Sequence, residues 1–138
     1  MGKPLFTGTV SAVSKQNLYK GKSGEDLASK ALEENGYKII RRNYRVRLAE
    51  IDIIARDKDT YCFVEVKSRL SDRFGLPAEA VSVPKQNKIS MAAVTFLKQN
   101  NLLDKKARFD VVTVTFDKDN PRVELIKNAF ELDERYSY

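Results

Sequence analysis

Glu50-Ile-Asp-Ile-Ile-Ala-Arg56, Asp57-Lys-Asp-Thr60, Tyr61-Cys-Phe-Val-Glu-Val-Lys67: the middle of this chain reads as two β-type runs around a polar turn. Paired as an antiparallel hairpin centred between Lys58 and Asp59, the runs set Arg56 opposite Tyr61, Ile54 opposite Phe63 and Asp52 opposite Glu65. Residues directly opposite in such a pair point to the same side. The period of two adds Lys67 to that side and predicts Ile51, Ile53, Val64 and Val66 on the other. A slip of one residue would send Asp52 to the apolar face, so the register carries the reading.

Two carboxylates held opposite each other repel, and a divalent cation between them removes that penalty. Mg²⁺ is commonly held by one or two carboxylates together with water and phosphate oxygens. Lys67 beside such an ion suits positioning or deprotonating a water, or stabilising charge on a phosphate. The residue types therefore point to metal-assisted phosphodiester hydrolysis. On spacing alone, a solvated strand face with cross-paired charges explains Glu65-Val-Lys67 equally well.

Composition narrows the chemistry further. The 138 residues suit one domain with a real core, 42% of them apolar and 32% charged. The absence of histidine excludes Ser-His-Asp triads and His-ligated zinc. Cys62 is the single cysteine, which excludes an intrachain disulfide, and its place on the Val64 side of the strand predicts burial. Lys and Arg number 25 against 19 Asp and Glu, a net charge of +6 that favours polyanionic partners. No apolar run approaches a membrane span and no signal-peptide core opens the chain, so a cytoplasmic location is expected.

Outward from the hairpin, residues 1–22 read as a basic N-terminal arm, either a mobile tail or a segment that packs on a partner, with some strand character from Leu5 to Val13. Residues 23–138 form a single domain. A helix is predicted from Ser23 to about Asn35, with an apolar stripe of Leu27, Ala28, Ala31 and Leu32 and a stop at Gly36. Glu25 lies at the border of that stripe, placed either to reach a site on the sheet or simply to favour the helix dipole. The strand Tyr37–Val46 carries Arg41, Arg42 and Arg45, which suit either phosphate contacts or a charged edge that resists aggregation. A loop is expected from Ser68 to Ala80. A second helix follows from Pro84 to Asn100, marked by Ile89, Ala92, Ala93, Phe96 and Leu97. Lys85 and Lys88 in its first turns are placed either to grip a phosphate or to sit in solvent. Strands at Phe109–Phe116 and Val123–Ile126, with an Asp117–Pro121 turn between them, complete the order α-β-β-β-α-β-β, a mixed sheet flanked by helices in the α/β class.

Glu25, Glu50-Ile-Asp-Ile-Ile-Ala55, Phe63-Val-Glu-Val-Lys67, Phe74-Gly-Leu-Pro-Ala-Glu-Ala80, Arg108-Phe-Asp-Val-Val112 and Asn128-Ala-Phe130, in that order, resemble the YraN family. That family is placed in the restriction-endonuclease-like superfamily, with a core similar to that of archaeal Holliday-junction resolvases. The resemblance runs from Gly24 to Phe130 and implies an αβββαβ nuclease core. It implies that Asp52 and Glu65 hold Mg²⁺ or Mn²⁺, that Lys67 serves the attacking water, and that Glu25 is the additional helical acid, a metal ligand directly or through water. One position departs: Ala49 stands where the family usually has glycine. The expectation is a Mg/Mn-dependent endonuclease acting on nucleic acid, DNA before RNA, with branched or structured DNA among its substrates. Arg41, Arg42, Arg45, Lys85 and Lys88 are the expected phosphate contacts, and a two-fold symmetric substrate would favour a homodimer. The alternative is a nucleic-acid-binding protein of the same fold without significant catalysis.

Overall fold

A computed structural model describes residues 4–9, 23–70, 81–116 and 121–132. Residues 10–22 of the expected arm, 71–80 of the expected loop with the Phe74–Ala80 motif, and 117–120 of the expected turn lie outside the described residues. The elements are β1 (Pro4–Thr9), α1 (Ser23–Glu34), β2 (Lys38–Val46), β3 (Ala49–Asp57), β4 (Thr60–Arg69), α2 (Val83–Gln99), β5 (Lys106–Thr115) and β6 (Arg122–Phe130). They build one 6-stranded sheet in the order β1-β6-β5-β4-β3-β2. All neighbours are antiparallel except β4 and β5, the parallel pair spanned by the α2 crossover. The αβββαβ order expected from the sequence is present in a mixed sheet with helices packed on it. Part of the expected arm is different: residues 4–9 pair with β6 as the sixth strand.

Each helix covers its own apolar cluster. Leu27, Ala28, Ala31 and Leu32 of α1 pack on Ile53, Val64, Val112 and Leu125. Ile89, Ala92, Ala93, Phe96 and Leu97 of α2 pack on Ile54, Phe63, Phe109 and Val111. Adjacent residues of β5, Val111 and Val112, thus serve opposite faces, as the apolar run of an inner strand requires. The α1 helix stops where expected. Gly36 takes φ 88°, Gly36 N–H donates to the Glu33 carbonyl and Tyr37 N–H to the Leu32 carbonyl, a Schellman closure that turns the chain into β2.

The hairpin register is the one expected: Asp57 pairs with Thr60, Arg56 with Tyr61 and Ile54 with Phe63. Ile53, Val64, Val66 and Cys62 lie on the α1 side. Ile51 does not; it joins Ile54, Phe63 and Tyr44 under α2. The reason lies in the neighbouring strand. Asn43 adopts φ 55° between Arg42, which pairs with Ile53, and Tyr44, which pairs with Ile51. Arg42 reaches the α1 acid Asp26, whereas the Tyr44 hydroxyl donates to Gln99 of α2. Residues two apart in a regular strand share a face; here the left-handed Asn43 turns the ribbon over. Asp52, between Ile51 and Ile53, sits where this reversal happens.

Candidate active site

The ladder between β3 and β4 ends at Ile53 and Val64. Beyond it, the Val66 N–H has no β3 carbonyl to meet and donates instead to Asp52 Oδ2 at 2.8 Å. The carboxylate thereby caps the point where the two strands part. Glu65 precedes Val66 and turns to the α2 side, only 5% exposed. The two acids lie near enough that the Glu65 charge bears on Asp52. Burial and the Glu65 charge push the Asp52 carboxyl up to about 6, against the pull of the Val66 N–H and Lys85.

A buried carboxylate needs a counter-charge. Glu65 Oε2 has two: Lys85 Nζ at 3.2 Å and Lys67 Nζ at 4.0 Å. Lys67 comes from the same strand face, as expected. Lys85 comes from α2, whose start is set by Ser82: its Oγ accepts from Lys85 N–H, and Gln86 Nε2 donates to the Val81 carbonyl. With Pro84 in the first turn, the cap delivers Lys85 toward Glu65. A cleft of about 240 Å³ opens here, lined by Leu48, Ala49, Glu50, Asp52, Lys85, Lys88 and Ile89.

The structure thus brings together Asp52, Glu65, Lys67, Lys85 and Lys88. Glu25 is not brought to this cluster; its ion-pair partner is elsewhere. Gly24 packs so tightly on Ser68 that a Cβ there would collide with the Ser68 hydroxyl, which sets the first turn of α1 beside the strand that bears Lys67. Glu25 faces Arg42 at 3.7 Å, and Arg42 also bonds Asp26 at 2.8 Å. Among the described residues no group of three or more His, Cys, Asp or Glu side chains converges as a metal site. Arg42, expected among the phosphate contacts, is engaged by the acids of α1. Arg41 lies over the Tyr44 ring, and Arg45 pairs with Glu50 across the β2–β3 hairpin while staying largely exposed.

The donor set fits a hard divalent cation. Asp52 in the wall of a cleft with room for water and phosphate oxygens, and the buried Glu65 carboxylate held by the cleft lysine Lys85, match the way one or two carboxylates usually hold Mg²⁺. Sequence reasoning placed Lys85 only as a phosphate contact and missed its bond to Glu65. Proline and a serine cap ahead of the helix were the available signal for where its side chain starts. It also missed a second charged network near the hairpin turn. There Asp110, fully buried, accepts from Arg108 and from Asn128 N–H, while Arg108 also donates to Tyr37 and Asp57. Lys127 completes it against Asp57. Every charge in this network is matched within the fold.

No helix among the described residues is long and apolar enough to cross a membrane. Comparison with known proteins adds relatives. A UPF0102 protein of Syntrophus aciditrophicus is 55% identical over 117 residues, 85% of this chain and 92% of the relative. One from Geobacter metallireducens is 50% identical over 120 residues, 87% of this chain and 98% of the relative. Among solved structures, Pyrococcus furiosus SfsA in complex with Ca²⁺ aligns over 78% of this chain and 62% of its own, with a TM-score of 0.37 and 14% identity. The model of the uncharacterised protein family UPF0102 matches residues 24–114, the segment that holds Asp52, Glu65, Lys67 and Lys85. On that match and those identities the chain belongs to UPF0102, the YraN family.

Proposed function

We propose that this protein is a Mg²⁺- or Mn²⁺-dependent nuclease that hydrolyses phosphodiester bonds in DNA, branched or otherwise structured DNA included. The observation that supports this most is Asp52 in the wall of a cleft lined by Lys85 and Lys88, with the buried Glu65 carboxylate 3.2 Å from Lys85 Nζ. Asp52 and Glu65 would hold the cation, while Glu25 stays with Arg42 on the α1 side. When bound, the metal supplies Lewis-acid stabilisation of charge on the phosphate. Lys67 orients the attacking water and holds a proton at Nζ. Lys88 and the exposed Arg45 bind the backbone phosphates, a contact type that carries affinity without base recognition.

The test is cleavage of labelled duplex, single-stranded, flap and four-way-junction DNA with Mg²⁺ or Mn²⁺. Cleavage by the wild type that is lost in Asp52→Ala and in Lys67→Ala supports the proposal. A second reading, a nucleic-acid-binding protein without cleavage, draws on Ala49, whose side chain borders the cleft where a glycine would leave the backbone open. Salt-sensitive DNA binding with no cleavage of any substrate would favour it.

A further inference from the structure

The two lysines at Glu65 differ in origin and in reach. Lys67 is built into β4, one step from Glu65 along the same face, at 4.0 Å. Lys85 arrives from another element on a long flexible stem, and its Nζ is the nearer of the two at 3.2 Å. Its side chain is 45% exposed and lines the same cleft as Asp52, so it has a path to solvent and to anything that enters the cleft. Two carboxylates and two ammonium groups leave this cluster with no net charge. A divalent cation added to it produces an excess of two positive charges, unless an ammonium leaves or an anion joins.

We infer that Lys85 is an exchangeable counter-ion: it neutralises Glu65 until a divalent cation takes that place, and its ammonium then moves to a phosphate in the cleft. This rests on the metal-site reading above and adds a coupling to it. The same lysine that competes with the metal for Glu65 is released to bind the substrate, so metal and nucleic acid each favour the binding of the other. Lys67 does not fit this role, because its strand position holds its stem in place beside Glu65 and not across the cleft.

The experiment is calorimetric titration with Mn²⁺ alone, on the full chain, for the wild type, Lys85→Met, Lys85→Arg and Asp52→Ala. Removing a positive charge about one ion-pair distance from the metal's ligand should tighten Mn²⁺ at least about tenfold in Lys85→Met. Lys85→Arg keeps the charge and should stay near the wild type. Fluorescence anisotropy with a non-cleaved phosphorothioate DNA should show that Mn²⁺ strengthens DNA binding by the wild type several-fold more than by Lys85→Met. Mn²⁺ affinity that is unchanged or weaker in Lys85→Met overturns the exchange while leaving the metal site standing. Mn²⁺ binding that Asp52→Ala does not weaken, or none to any variant, overturns the metal-site reading and the exchange with it.

Discussion

Asp52→Asn should make this protein more stable at neutral pH while removing its proposed activity. The Asp52 carboxyl is held at about 6 instead of near 3.8, by burial first and by Glu65 second. An acid whose proton is bound more tightly in the folded state destabilises the fold once it ionises. The penalty is absent below about pH 3.8, grows through the window up to about 6 and is complete above it. At about 1.4 kcal/mol per tenfold change in proton affinity, the ceiling is ~3 kcal/mol. Asp52 is only half-buried, and screening by solvent reduces this to about 1–2 kcal/mol. Asparagine keeps an oxygen for the Val66 N–H and turns an amide toward Glu65, so a repulsion becomes a hydrogen bond. The assay is urea denaturation in EDTA at pH 7.5, 5 and 4. We expect Asp52→Asn to exceed the wild type by about 1–2 kcal/mol at pH 7.5, roughly 3–7 °C in a melt, with the gain shrinking towards zero at pH 4. Equal or lower stability at pH 7.5, or a gain that does not change with pH, would refute the reasoning.

Three other perturbations read separate parts of the fold. Asp110→Ala removes one of the two acid partners of the half-buried Arg108 and the acceptor of the Asn128 N–H, and should destabilise the protein by about 3 kcal/mol in urea denaturation; a loss under about 1 kcal/mol would mean that the network contributes little. Gly24→Ala should lower stability by about 1 kcal/mol through the clash with Ser68, and Ser68→Ala should restore most of it in the double variant, which a double-mutant cycle measures. Burial pushes the Cys62 thiol up to about 12, with the Asp110 charge adding to it, so a thiol reagent at pH 8 should label the folded chain far more slowly than the unfolded one.

The hairpin was legible because its signals are local. A polar turn, strict alternation and β-branched residues set the register of Ile54 with Phe63 as far as Ile53 with Val64, one step short of Asp52 and Glu65. Leu27 to Leu32 and Ile89 to Leu97 announced their helices through a spacing that any window reveals. Ile51 was misplaced because the deciding conformation belongs to Asn43 in another strand, and a left-handed asparagine looks like any other in a sequence. Residues 4–9 were read as part of an arm because Gly8 weakens their strand signal and their support comes from β6 at the far end of the chain. The Lys85–Glu65 pair and the links from Arg108 to Tyr37 and Asp57 depend on how α2 and β5 dock, and no count along the chain contains that information.

The parallel pairing of β4 with β5 has a consequence for the order of folding. Each contact across it joins residues about as far apart as Arg69 and Thr115, 46 positions along the chain. The β3–β4 hairpin closes over a two-residue turn. Loop-closure entropy favours the short route, so the hairpin should assemble early and the central pair late. Asp52 and Glu65 would then be driven together before α2 brings Lys85 to separate their charges. The nascent hairpin carries an electrostatic conflict that Lys67 meets only in part before α2 arrives, and refolding should accelerate at mildly acidic pH, where Asp52 retains its proton.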